Sequence, residues 1–174
     1  MIKIKLFSAI LITLLISSCA TVQVKTDYDS KTDFSKIKTF AFYKKGIDKA
    51  KISDIDKRKI LRSIENDLKS KGLTLSKNPN ILISIYAKSK KQMDIYYSNQ
   101  WYPHYYGAYW DSHVSKYTEG TLLIDFLDAK TKTLLWQGVG KGALDTSGIV
   151  EKKEERINEF VERILEFYPP VPTK

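Results

Sequence analysis

The chain has 174 residues and a net charge of +9, from 29 basic and 20 acidic side chains, with two histidines and one cysteine. A lone cysteine excludes an internal disulfide and a zinc–thiolate cluster, and this length fits one domain with one core. Only four basic residues are arginine (Arg58, Arg62, Arg156, Arg163) and the lysines are scattered; base reading favours the bidentate guanidinium, so no nucleic-acid partner is expected.

Lys3 and Lys5 form a short positive start, followed by an apolar run from Leu6 to Ile16 broken only by Ser8 and Thr13. A membrane-spanning helix needs about 20 apolar residues, so this run reads as a signal-peptide core over residues 1–18. Ser17 and Ser18 then precede Cys19. The order resembles a bacterial lipobox, with Ile16 where leucine is commonest. The resemblance implies cleavage before Cys19 and a diacylglyceryl group plus an N-acyl chain on it, with no other cofactor. A plain cleaved signal and an uncleaved anchor are the alternatives. Several acyl chains hold a protein stably without a spanning helix. No aspartate follows Cys19, which by the enterobacterial sorting rule implies the outer membrane, facing the periplasm. Loss of Lys3 and Lys5 lowers the charge from +9 to +7, leaving a basic surface suited to anionic headgroups or wall polymers.

Residues 19–33 are expected as a lipidated N-terminus and tether, beginning with a short strand, and residues 34–174 as one domain. Ile37–Tyr43 reads as a strand. A helix is expected over Ser53–Lys71: Ser53 is the N-cap, Asp54 and Asp56 favour the positive end, Ile60, Leu61, Ile64 and Leu68 share a face, and Gly72 stops it. Ile81–Ala87 alternates as a central strand ended by Lys88–Lys91. Gly120–Asp128 and Thr133–Lys141 form a hairpin about the turn Ala129–Lys132. A second helix covers roughly Ile149–Phe167, with Ile157, Phe160, Val161, Ile164 and Leu165 inward, and Pro169-Pro170 ends it. The order β-α-β-(insert)-β-β-α predicts an α+β fold: a two-layer sandwich whose mostly antiparallel sheet of four or five strands carries two helices on one face.

Several short motifs appear in order: Tyr28-Asp29 and Asp33 through Ala41, Lys71-Gly72, Glu119 through Asp125, Asp128-Ala129-Lys130-Thr131 with Leu134 through Gly138, and Phe167-Tyr168-Pro169-Pro170. Together they resemble the bacterial lipoprotein family known as domain of unknown function 4136, across nearly the whole mature chain. The resemblance implies an envelope lipoprotein with one α+β domain and brings no catalytic residues with it. In the Asp128–Gly138 motif, Leu134 and Trp136 share a strand face, and Gly138 and Gly140 relax the strand or admit close packing.

Residues 95–117 differ in kind. They hold seven of the eleven tyrosines, two of the three tryptophans and both histidines. Pro103 and Gly107 oppose a long helix; two short strands with a loop, or an irregular excursion, both fit. Rigid amphipathic rings dominate binding hot spots, so Tyr96, Tyr97, Trp101, Tyr102, His104, Tyr105, Tyr106, Tyr109, Trp110 and His113 make a candidate surface for an envelope protein or a cell-wall polymer. The bland alternative is a tyrosine-rich loop packed on its own sheet. His104 and His113 are too few for a zinc site alone, and Gly138–Gly142 lacks the spacing of a phosphate loop. No catalytic constellation stands out. The reading is thus a membrane-anchored, non-catalytic binding or structural module. The alternatives are a wall-polymer hydrolase using carboxylates such as Asp111, Glu119 and Asp125, which must converge at about 5–10 Å, and a metal or small-ligand carrier using the two histidines.

Overall fold

A computed structural model describes residues 22–97 and 112–171. Six strands form one sheet: β1 Gln23–Tyr28, β2 Thr39–Phe42, β3 Thr74–Leu75, β4 Ile81–Tyr97, β5 Ser112–Asp128 and β6 Leu134–Ala143, in the order β1-β6-β5-β4-β2-β3. The helices are α1 Lys44–Ile47, α2 Asp54–Ser70 and α3 Val150–Leu165.

The α+β class is as expected; the sheet is not. It is mixed and has six strands, since β2 runs parallel to both β3 and β4. The chain leaves β2, passes through α2 and re-enters the sheet in the same direction, and such a crossover makes its strands parallel. Hydrophobic alternation carries no sign of pairing direction, and the two-residue β3 is too short to show any. Part of the stretch expected as tether is sheet, because Gln23–Tyr28 pairs with β6 from Gln23↔Lys141 to Tyr28↔Trp136. The third helix, α1, had no sequence signal: it is one turn long and lies against β4, where a side chain at Gly46 would meet Ser84 Oγ.

The α2 cap is the one the sequence specifies, with Ser53 Oγ accepting from Asp56 N at 3.1 Å. Ile60, Ile64 and Leu68 form its buried stripe, and Gly72 ends it with φ +85°, a conformation only glycine adopts freely. Phe160, Val161, Ile164 and Leu165 are the buried stripe of α3. Both helices lie on one face of the sheet and cover Ile81, Ile83, Ile85 and Ala87 of β4, Leu122, Ile124 and Phe126 of β5, and Trp136 of β6. A Cβ on Gly138 would lie 2.4 Å from Ile164 Cγ2, so α3 rests almost directly on the β6 backbone. Beyond α3, Tyr168 packs edge-on against Phe126 (4.6 Å between centroids) and Trp136 (5.5 Å), closing the core.

The β4–β5 hairpin is much longer than expected. Pairing is continuous from Ile81↔Asp128 to Tyr97↔Ser112. The lysine run Lys88–Lys91, read from sequence as the end of the strand, lies within it. Neighbouring cover stops early: β2 pairs only as far as Ile83, and β6 ends at Glu119↔Ala143. The pairs from Lys91↔Thr118 outward therefore form a two-stranded arm, reaching about 23 Å at roughly 3.3 Å per residue. The buried face of β4 ends at Ala87, before the arm begins, which is why the pattern faded at Lys88.

Candidate functional site

The arm carries the aromatic segment. Tyr96 and Tyr97 are the last residues of β4, and Tyr96 pairs with His113 of β5. Trp101, Tyr102, His104, Tyr105, Tyr106, Tyr109 and Trp110, like Cys19 and Asp111, lie outside the described residues. The fold thus brings both ends of the segment together at the end of the arm, in register.

The remaining carboxylates weighed for hydrolysis do not converge. Glu119 and Asp125 lie on the same face of β5, six residues apart, which separates them by about 20 Å. Asp125 is half-buried on the face away from the helices. Burial pushes its carboxyl above the ordinary value of 3.8, opposed by a hydrogen bond donated by Gln137 Nε2 at 2.7 Å. Among the described residues no group of three His, Cys, Asp or Glu side chains is placed to hold a metal.

Two clefts open on the helix side. The first, about 280 Å³, lies at the base of the arm between α2, α3 and the sheet. Ile60, Ala87, Leu122, Leu144, Ile157 and Phe160 give it an apolar floor. Lys88 lines it without a described ion pair, and its other cations are committed: Lys153 Nζ lies 2.7 Å from Asp56 Oδ1, Arg156 Nε donates to Ala143 O at 2.7 Å, and Arg156 Nη1 pairs with Glu159. Asp145 accepts from Ser147 N, which holds its carboxyl below the ordinary range. A carboxylate held that way is poorly suited to donate a proton. This cleft was missed in the sequence, because Asp56 and Lys153 are 97 residues apart and each looks like a solvated helix charge.

The second cleft, about 390 Å³, is lined by Asp33, Phe34, Ser35, Lys71, Gly72 and Tyr168-Pro169-Pro170 among others. Three of the sequence motifs meet there. Most of their residues have structural duties: Phe34 stacks edge-on to Tyr28 and Tyr168, Gly72 ends α2, and Asp33 Oδ1 accepts from Ser35 N and Oγ. Likewise Asp128 Oδ1 accepts from the amides of Lys130 and Thr131, closing the β5–β6 turn and lowering its pKa.

The face of the sheet without α2 and α3 has its own charge order. Asp27, Gln137, Asp125 and Ser84 make one row across the strands. Two residues nearer the arm come Lys25, Val139, Leu123 and Tyr86, then Gln23, Lys141, Thr121 and Lys88. The face thus passes from acidic to basic toward the arm, with Glu119 opposite Lys90 in the next row. Among the described ion pairs, none involves Lys25, Lys88, Lys90 or Lys141.

These features define a two-layer α+β domain with a projecting β-hairpin and no described catalytic cluster. The chain belongs to the family described as "Domain of unknown function (DUF4136)", which matches residues 24–170. No curated protein matches it. Among solved structures it is similar to a PDZ domain protein from Parabacteroides distasonis, at 21% identity and TM-score 0.55, over 86% of this chain and 36% of that one. The chain thus spans about a third of that protein's length. It is also similar to the PelC dodecamer from Paraburkholderia phytofirmans, at 9% identity and TM-score 0.50, over 83% of this chain and 96% of that one. Identities this low speak for the fold alone.

Proposed function

We propose that the protein is an envelope lipoprotein, anchored by acyl chains on Cys19 in the outer membrane and facing the periplasm, and that it works as a non-catalytic binding or structural module. Its recognition surface is the aromatic segment 95–117, and its partner is an envelope protein or a cell-wall polymer. The observation that carries this reading is the β4–β5 register, which extends past every neighbouring strand and holds both ends of the segment away from the core. A segment kept only to fill the domain's own core would not need such an arm. The hydrolase alternative loses ground through the separation of Glu119 from Asp125 and the committed charges of the first cleft.

The test is crosslinking in intact envelopes, comparing the full chain with a variant in which residues 98–111 are replaced by a two-residue Asn-Gly turn. That turn closes a hairpin and leaves the described strands whole. The reading predicts loss of the crosslinked adducts. Identical adducts from both proteins would remove the segment as the contact surface.

A further inference from the structure

The order of the strands fixes which end of the domain meets the membrane, given acylation at Cys19 as proposed above. β1 runs antiparallel to β6, β6 to β5 and β5 to β4, so Gln23, Lys141, Thr121 and Lys88 lie in one row. From that row β1 proceeds into the body of the sheet, whereas the arm leaves in the opposite direction, toward the side from which the chain arrives. The tether is short. Val22 is buried and would touch a Cβ placed on Gly140, so only Ala20 and Thr21 separate it from Cys19. Three residues span at most about 11 Å.

That length rules out both extreme orientations. With the arm pointing away from the bilayer, the body from Thr121 to Asp128 would stand between Val22 and the lipid, and its height of about 23 Å exceeds the tether. With the arm pointing straight down, the nine residues from Thr121 to Ser112 would reach about 30 Å below the row. That is well past the tether's reach, and it would carry Asp94, six residues or about 20 Å beyond the row, into the bilayer, where ionised side chains are expensive. Between these extremes the arm tilts toward the surface, and the face that turns down decides the rest. The helices α2 and α3 block one face of the sheet. The other presents Lys25, Lys88, Lys90 and Lys141, all exposed, around the half-exposed Tyr86; Glu119, paired with Lys90, is its one described carboxylate near the arm base, and its acidic row with Asp27 and Asp125 lies farther away. Juxtamembrane lysines of this kind are attracted to anionic headgroups, and an interfacial tyrosine suits the same boundary.

We infer that this basic face at the base of the arm docks on anionic lipid headgroups, so that the arm runs along the membrane surface rather than out into solvent. The inference rests on the proposed acylation, and the test separates the two. Full-length protein purified from membranes is first weighed intact. It is then reconstituted into vesicles of phosphatidylethanolamine and phosphatidylglycerol, or of phosphatidylcholine alone, each doped with a headgroup-linked quencher. With Cys19 acylated, a new cysteine is the sole free thiol, so Lys90→Cys and Lys130→Cys carry a fluorophore at the arm base and at the opposite end of the sheet. The expected result is several-fold stronger quenching at position 90 than at 130 in phosphatidylglycerol vesicles. That excess should fall in phosphatidylcholine, in 1 M salt, and when Lys25, Lys88 and Lys141 are changed to glutamine. An unacylated mass would overturn the anchor and the inference together. Acylated protein quenched equally at both positions, or indifferent to phosphatidylglycerol, would overturn the docking alone.

Discussion

Gln23 and Thr121 share a partner: Lys141 of β6 stands between them in register. This places the start of β1 three residues short of Thr118, where the β4–β5 hairpin leaves the sheet. The start of β1 and the root of the arm are therefore at the same end of the molecule, although about a hundred residues separate Gln23 from Thr121 in sequence.

Close packing of α3 on β6 is sensitive to a single methyl group. The Gly138 Cβ position lies 2.4 Å from Ile164 Cγ2 and 2.5 Å from Trp136 Cη2, both held in the core. Gly138→Ala should lower stability by about 1–3 kcal/mol, the usual cost of overpacking. Chemical denaturation reads this directly, and an unchanged midpoint would contradict the direct contact.

Tyr168 makes the domain sensitive to alkali. Its burial against Phe34, Phe126 and Trp136 raises the phenol from 10.0 to about 12. The folded state favours the neutral form, so this contribution is complete below pH 10 and is lost as pH rises toward about 12. Tyr168→Phe should flatten the stability profile over that window. A profile identical to that of the unsubstituted protein would show that another group is responsible.

Asp125 behaves in the opposite compartment of the pH scale. Burial raises its carboxyl above 3.8, so the folded state holds the proton more tightly than the unfolded chain. Its contribution is full below pH 3.8 and declines as pH rises through the raised value. Asp125→Asn, which keeps an oxygen to accept from Gln137, should remove that decline and leave the protein at least as stable at neutral pH. A clear loss of stability at pH 7 would mean that the charge itself is needed there.

Asn80 ties the start of β2 to the start of β4. Its Oδ1 accepts from the amides of Lys38 and Thr39, each at 3.0 Å, and from Thr39 Oγ1 at 2.9 Å. Asn80→Ala should cost about 1–2 kcal/mol, because partly screened hydrogen bonds contribute modestly. Faster amide exchange at Lys38 and Thr39 should accompany it; unchanged exchange would contradict the tie.

Much of the fold was legible along the chain. The Ser53 cap, the Ile60–Ile64–Leu68 stripe, the Asp128 turn and the strand at Ile81–Ala87 each announce themselves through local chemistry or short periodicity. What escaped depends on partners distant in sequence. The parallel pairing of β2 with β4 follows from a crossover that no single window contains. The arm escaped because the buried face of β4 ends at Ala87, so Lys88–Lys91 looked like a strand end. The candidate site was half legible. Composition singled out 95–117, but only the register from Ile81↔Asp128 to Tyr97↔Ser112 reveals where its ends are held. The first cleft left no mark at all, because Asp56, Lys153 and Arg156 are ordinary helix charges until α2 and α3 bring them together.

The account stands on Cys19. Metabolic labelling with palmitate, followed by membrane fractionation of the full-length protein and of Cys19→Ala, tests it most directly. Label on the unsubstituted protein with membrane recovery, and loss of both in the variant, is the predicted result. Equal fractionation with no label on either protein would contradict the anchor, and with it the membrane-facing arm.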